Sequence, residues 1–380
     1  MKDLNLSKER KLILLLTNNR LQERDLNIIE NLVTNPLDWN QIFIDTLWHK
    51  ISFLILSKLK KFKLINKALT EGNLSLLLLN HWKQLFYANY ERNNLYLDEL
   101  KKIDISFKES NVKYAVAKGG PLLFGKIYSL YERKVYDIDI IASKDQHHLI
   151  KKCLNNLGYK YLNYNHDEER FIEIERKEVK KWLLFTRGLP NFVKPVDNIG
   201  ARYLVIQVQF KIGSTKSGEH SIQSKPLLER SIQYSNFNGV GDEDLLIQLI
   251  LHIYRETVEE SFKEWNMDWN LIKFCDLDYF LHYLTDNKGL NFDRFYNRLI
   301  ELNFCREAIY SLLLTSIIYP SKIYLNIIKD LIKEDDNLKG FKEHIEKNYF
   351  PEINAQIFKV GYNKETNKSA WNNLMQAKTT

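Results

Sequence analysis

The chain has 380 residues, enough for two or three domains and at least one sizeable core. It is 44% hydrophobic and 13% aromatic, with only 14 Gly and 7 Pro, which excludes disordered, collagen-like and loop-dominated classes. The 55 basic and 48 acidic residues leave a net charge of +7. That suits an anionic substrate, but the basic residues are dispersed and argue against a dedicated nucleic-acid binder. Cys153, Cys275 and Cys305 are far apart and odd in number, so neither a zinc ribbon nor a disulfide framework is supported, and a reducing, cytoplasmic compartment is expected. No apolar run approaches the length that spans a bilayer, and Leu12 to Leu16 is too short for a signal peptide's apolar region, so no membrane association is expected.

Residues 1 to about 105 read as helices. Leu12, Leu15 and Leu16, then Leu26, Ile29, Leu32 and Val33, recur at helical spacing. Asp38 follows Pro36-Leu37 and can cap a helix running through Ile42, Phe43, Leu47, Ile51 and Leu54. A further helix is predicted from Asn73 to Asp104, its tyrosines serving as core and interface filler.

Between 112 and 215 the pattern changes. Val112 to Ala117 is short, apolar and β-branched, and reads as a strand. Gly119-Gly120-Pro121 ends it and opens a helix, with proline in the first turn where its missing N–H costs nothing. Val135 to Ala142 reads as a second strand, and Asp145 to Leu157 as an amphipathic helix capped by Asp145 and stopped by Gly158. Further predicted strands are Tyr159 to Tyr164, Phe171 to Glu175, Trp182 to Thr186 and Tyr203 to Ile212. Short strands and helices in mixed order suggest a small α/β or α+β domain. From about 225 the chain returns to helices: one behind Asp242-Glu243-Asp244, then Asn270 to Leu284, Phe292 to Leu302, Ala308 to Ile318 and Ile323 to Ile332.

The chemistry concentrates between Lys118 and Ala142. Strand side chains alternate, so Asp137 and Asp139 point one way while Ile138 and Ile140 point into the core. Their Cα atoms would stand roughly 6.6 Å apart, which lets both carboxylates converge on Mg²⁺. A strand feeding Gly119-Gly120 into a helix leaves backbone N–H groups open to a phosphate. Lys118 and Arg133 flank this stretch and can pair with triphosphate oxygens, Arg133 as a bidentate fork. His252, on an apolar helix, reads as a satisfied core histidine.

These residues resemble a known family. Lys118-Gly-Gly-Pro-Leu, Tyr128, Tyr131, Arg133, Asp137-Ile-Asp139-Ile-Ile and Leu154-x-x-Leu-Gly158-Tyr159 are similar to the nucleotidyltransferase-like proteins of the DNA polymerase β superfamily. They most resemble the bacterial branch termed uncharacterised nucleotidyltransferase, some of whose members lie beside peptide-natural-product biosynthesis genes. Asp38-Trp39, His49, Asn89 to Leu95, Glu243 to Leu246, His252 and Phe274 to Asp276 extend the resemblance.

The resemblance implies an α+β fold: a small mixed-sheet nucleotidyltransferase core flanked by N-terminal and C-terminal helical domains. The corresponding partition is 1–110 helical, 111–225 core, 226–350 helical and 351–380 a polar tail. It further implies that Gly119 and Gly120 bind phosphates and that Asp137 and Asp139 hold Mg²⁺, or Mn²⁺ in its place. A nucleotidyl group would then pass from an NTP to a small-molecule or peptide acceptor.

Members of the family usually carry a third carboxylate on a later strand, followed two residues on by His. On Val205 to Phe210, Gln207 stands at the carboxylate position and Gln209 at the histidine position. Glutamine can offer a carbonyl to a metal but cannot accept a proton at neutral pH. Several outcomes are open: a catalytically weakened enzyme, one in which another group substitutes, one whose acceptor is already an anion and needs no base, or a catalytically inactive nucleotide- or partner-binding pseudoenzyme. Glu173 and Glu175, expected on one strand face, are fallback carboxylates.

Overall fold

A computed structural model describes residues 6–125, 127–165, 167–186, 188–213, 221–259, 269–288, 290–333, 336–349 and 357–358. The chain divides into two compact units, each discontinuous in sequence. The architecture is α+β, as the sequence implies. Among the described residues no helix is long and apolar enough to cross a membrane.

One unit comprises Met1–Ser75, Leu249–Tyr279 and Tyr296–Thr380. Its first helices are α1 (Lys8–Thr17), α2 (Glu23–Val33), α3 (Trp39–Trp48), α4 (Ser52–Lys61) and α5 (Ile65–Thr70). Leu12 to Leu16 is buried throughout, which is why that run is apolar. Asp38 caps α3 by accepting the Gln41 N–H at 2.9 Å. The helix expected to continue to Leu54 is two helices, because Lys50 takes a left-handed φ of 58° between α3 and α4. The expected tail, 351–380, lies outside the described residues except for 357–358.

The other unit comprises Leu76–Gln248 and Phe280–Phe295. It opens with α6 (Leu76–Glu109), whose buried face includes Asn89, Asn93, Tyr96, Leu100, Ile103 and Phe107. The chain then runs β1 (Tyr114–Ala117), α7 (Gly119–Phe124), β2 (Ile138–Ala142), α8 (His147–Asn156), β3 (Lys160–Asn165), β4 (Arg170–Glu173), α9 (Arg176–Phe185), β5 (Phe192–Asn198) and β6 (Ala201–Gln209). It continues through β7 (Lys211–Gly213), β8 (Ser221–Gln223), α10 (Ser224–Glu229), β9 (Ile232–Gln233), β10 (Asn238–Gly239) and α11 (Asp242–Val258). The remaining helices are α12 (Leu271–Tyr283), α13 (Phe292–Glu301), α14 (Cys305–Ile318), α15 (Lys322–Leu331) and α16 (Asp336–Tyr349).

Eight strands form one mixed sheet in the order β4-β3-β5-β6-β2-β1-β10-β9. The two central strands, β2 and β6, pair in parallel, while β1 joins β2 antiparallel. Strands β7 and β8 form a separate hairpin.

Several sequence expectations change here. Strand β2 begins at Ile138, not Val135, because 130–136 forms a turn held by α6. Trp182 to Thr186, expected as a strand, is the last turn of α9 with Thr186 as its C-cap. Val179 and Leu183, four apart, share its better covered side, a helical period rather than an alternating one. Strand β5 was hidden by Pro195; β3 pairs only with Phe192 and Val193, so Pro195 sits where no ladder bond to β3 is needed. Asp145 lies in a 3₁₀ turn (Lys144–Gln146) before α8 and caps nothing in it, whereas Gly158 does stop α8 with φ 89°. Beyond 225, β9 and β10 extend the sheet past β1, and the sheet-bearing unit continues to Gln248.

Candidate active site

Strand β1 ends in an unusual turn. Lys118 has φ 50° and ψ −120°, a region that glycine occupies easily and that a Cβ strains. Its N–H donates to Oε1 of the buried Gln248 at 2.9 Å, which holds the turn from beneath. The lysine side chain then reaches Asp139 Oδ1, with Nζ donating at 2.5 Å. Asp139 is buried on β2, and its carboxylate also accepts Nε2 of Gln209 at 2.9 Å. An almost fully buried carboxylate needs such donors, since an unpaired charge there would cost several kcal/mol.

Arg133 comes to the same place from the loop before β2. Its guanidinium lies over Gly119, so close that a Cβ on that glycine would collide with three guanidinium atoms. Gly120 packs against Val116, where a Cβ would stand 2.5 Å from Cγ1. Gly120 is thus set by close approach to the core, while Gly119 leaves the room in which the Arg133 guanidinium lies against the backbone.

The loop itself is held by one face of α6. Asn93 donates Nδ2 to the carbonyls of Leu130 at 2.7 Å and Arg133 at 2.8 Å, and its Oδ1 accepts the Val135 N–H at 3.4 Å. Arg92 Nε donates to the Val135 carbonyl at 2.7 Å, and Asn89 donates to the Tyr131 carbonyl at 3.1 Å. Tyr96 donates its hydroxyl to the Tyr136 carbonyl at 2.7 Å and accepts the Val205 N–H at 3.1 Å, tying the loop to β6. Burial pushes that phenol up to about 12, so it stays protonated and keeps its donor role. Tyr131 stacks between Phe86 and Tyr90, with centroids 5.0 and 4.2 Å away.

Asp137 leaves this loop just ahead of β2, two residues before Asp139, and is partly exposed. On the other side, Asp139 and Gln207 are register partners across the parallel β2–β6 pair. The structure thus gathers Lys118, Gly119, Arg133, Asp139, Gln207 and Gln209 around the junction of β1, β2 and β6. Glu173 and Glu175 do not share a strand face: Glu173 ends β4, and Glu175 stands just before α9 without a side-chain cap. Among the described residues no group of three His, Cys, Asp or Glu side chains has the arrangement of a metal site.

Sequence reasoning did not assign roles to Gln248, Asn93, Arg92 or Tyr96. The signal available was a spacing of three and four, Asn89-x-x-Arg92-Asn93-x-x-Tyr96, which puts these polar side chains on one face of a long helix.

The helical unit holds another buried carboxylate with a lysine partner. Glu256 on α11 meets His252 Nε2 at 2.7 Å through Oε1, and the Lys273 ammonium through Oε2. Burial alone would raise its carboxyl, but the neighbouring His252 and Lys273 outweigh that and hold it well below the usual range. His252 is thus a paired structural histidine. His49 is buried with its carbonyl accepting the Ile272 N–H at 3.2 Å, and desolvation pushes its imidazole down to about 3.

The model of the family described as Uncharacterised nucleotidyltransferase matches residues 35–320. No curated protein matches the chain. No solved structure matches it.

Proposed function

Because the chain belongs to the uncharacterised nucleotidyltransferase family, we propose that it is a Mg²⁺-dependent nucleotidyltransferase. It takes an NTP or related nucleotide donor and transfers the nucleotidyl group to a small-molecule or peptide acceptor. The observation that carries this reading is the convergence on one buried carboxylate: Asp139 holds Lys118 and Gln209, with Arg133 laid over Gly119 beside it. Such transfer is chiefly positioning and charge neutralisation, which is what two cations, two aspartates and a glycine approach provide.

The donor set also suits the ion. Asp137, Asp139 and the Gln207 carbonyl are hard oxygen donors too few to enclose a cation, as Mg²⁺ prefers when phosphate oxygens complete its shell. Asp137 and Asp139 would hold it, and when bound it would neutralise charge on the phosphates. Arg133 forks onto triphosphate oxygens, Lys118 moves between Asp139 and a phosphate, and Gly119 and Gly120 let the phosphates approach the backbone. Localisation in the cytoplasm and a role in tailoring peptide natural products belong to the same proposal.

The test is thermal stabilisation by each NTP with and without Mg²⁺, followed by pyrophosphate release across an acceptor panel. Mg²⁺-dependent stabilisation with release supports the enzyme; neither effect with any NTP removes the proposal. A second reading rests on Gln207, register partner of Asp139: a pseudoenzyme that binds nucleotide without turnover. Stabilisation without release would favour it.

A further inference from the structure

We propose that the acceptor in this transfer is a group already ionised at neutral pH, a phosphate or carboxylate oxygen rather than a hydroxyl. The inference rests on the nucleotidyltransferase reading above. What carries it is the face of β6 that looks onto Asp139. Gln207 pairs in register with Asp139 across parallel strands, so the two side chains lie on one face of the sheet. Gln209, two residues on, shares that face and donates Nε2 to Asp139 Oδ1 at 2.9 Å. Both β6 positions beside the buried carboxylate are therefore carboxamides, which take up no proton near neutral pH.

Asp139 is itself poorly suited to act as a base. Its Oδ1 already accepts from Lys118 Nζ at 2.5 Å and from Gln209 Nε2 at 2.9 Å, so that oxygen is occupied by two donors of the protein. A hydroxyl acceptor must shed a proton as it attacks, and a positioned base is what makes that fast. An ionised oxygen has no proton to shed. Its difficulty is repulsion from the triphosphate, and cations close at hand reduce that repulsion. Lys118 and Arg133 both stand at the site, Arg133 against Gly119.

The step balances without a base. A lone pair of the acceptor oxyanion forms the new O–P bond at the α-phosphorus. The bond from that phosphorus to the bridging oxygen breaks, and its electron pair leaves with pyrophosphate. No proton is transferred. The product is a mixed anhydride, or a phosphate–phosphate linkage, where a hydroxyl acceptor would give a phosphodiester.

The experiment uses the full chain with Mg²⁺ and each NTP, against matched acceptors. These are glycerol 3-phosphate and glycerate against glycerol, and a phosphoserine peptide against its serine counterpart. Pyrophosphate release gives the rate, and mass spectrometry locates the attached group. Turnover on the ionised member of a pair should exceed that on the neutral one by about a hundredfold, a typical contribution of general-base catalysis. Attachment should be through the phosphate or carboxylate oxygen. Gln207→Asp, with Gln207→Glu as a second variant checked for folding by circular dichroism, should shrink the ratio by restoring a proton acceptor. Equal rates within pairs, attachment through a hydroxyl, or a ratio unmoved in both folded variants would overturn the inference. Release with none of the acceptors and no Mg²⁺-dependent binding of any NTP would instead strike the transfer reading beneath it.

Discussion

Asp139 and Glu256 are both buried carboxylates with a lysine on one oxygen, yet their surroundings differ in kind. Glu256 is enclosed by regular helix: His252 lies four residues away on α11, and Lys273 lies on α12. Both of its oxygens are taken by side chains that stand on regular helix. Asp139 lies at the junction of three strands, beside a lysine in a glycine-favoured conformation and Gly119 under an arginine. The loop ahead of it is held by four side chains of α6. A buried ion pair is thus weak evidence of a site. Strained backbone and enforced close approach next to one are stronger, because they cost stability that packing alone would not spend.

The contrast predicts opposite responses to substitution. Asp139→Asn or Asp137→Asn should lower nucleotidyl transfer by at least about a thousandfold while leaving the circular dichroism spectrum unchanged. A steady-state assay with pyrophosphate detection checks this, and unchanged activity in both variants would erase the distinction. Glu256→Ala should do the reverse. It strands the buried Lys273 ammonium and should cost about 3 kcal/mol in urea unfolding, with turnover per folded molecule preserved. A loss of turnover with normal stability would make the second carboxylate functional after all.

A smaller effect sharpens the picture of the helical unit as a structural assembly. His49 keeps a pKa of about 3 when folded against 6.5 unfolded, so the unfolded chain gains a proton first as pH falls. Its contribution to stability is fully present above about pH 6.5 and erodes toward pH 3, by up to about 1.4 kcal/mol per pH unit. Urea midpoints at pH 7, 6 and 5 should fall, and His49→Leu should flatten that slope. An identical slope in the variant would remove His49 as its source.

Much of the candidate site could be read in the sequence because it is local. Gly119-Gly120-Pro121 and Asp137-x-Asp139 are each a short contiguous motif within one stretch of the chain. The place of Gln207 came from the resemblance, which sets it where the family carries a third carboxylate; its register with Asp139 is a pairing between distant strands that no local pattern encodes. The α6 clamp was not legible: Asn93 reaches Arg133 across a separation of 40 residues that no local period encodes. Nor was the Lys118 turn, because a lysine gives no hint of a positive φ. β5, β9 and β10 were missed for the opposite reason, while β3 and β4 at the other edge were expected. Pro195 disguised β5, two-residue strands carry almost no pattern, and Trp182 to Phe185 is apolar enough to imitate a strand while ending a helix.

The backbone at Lys118 bears on how this sequence would drift. Glycine is the residue that φ 50° and ψ −120° favour, so in a lineage that no longer needs a cation at Asp139 the lysine becomes a standing cost. Its replacement by glycine, together with a neutral residue at position 139, would be the expected mark of a retired descendant, while chains that keep both are under continuing selection at this corner.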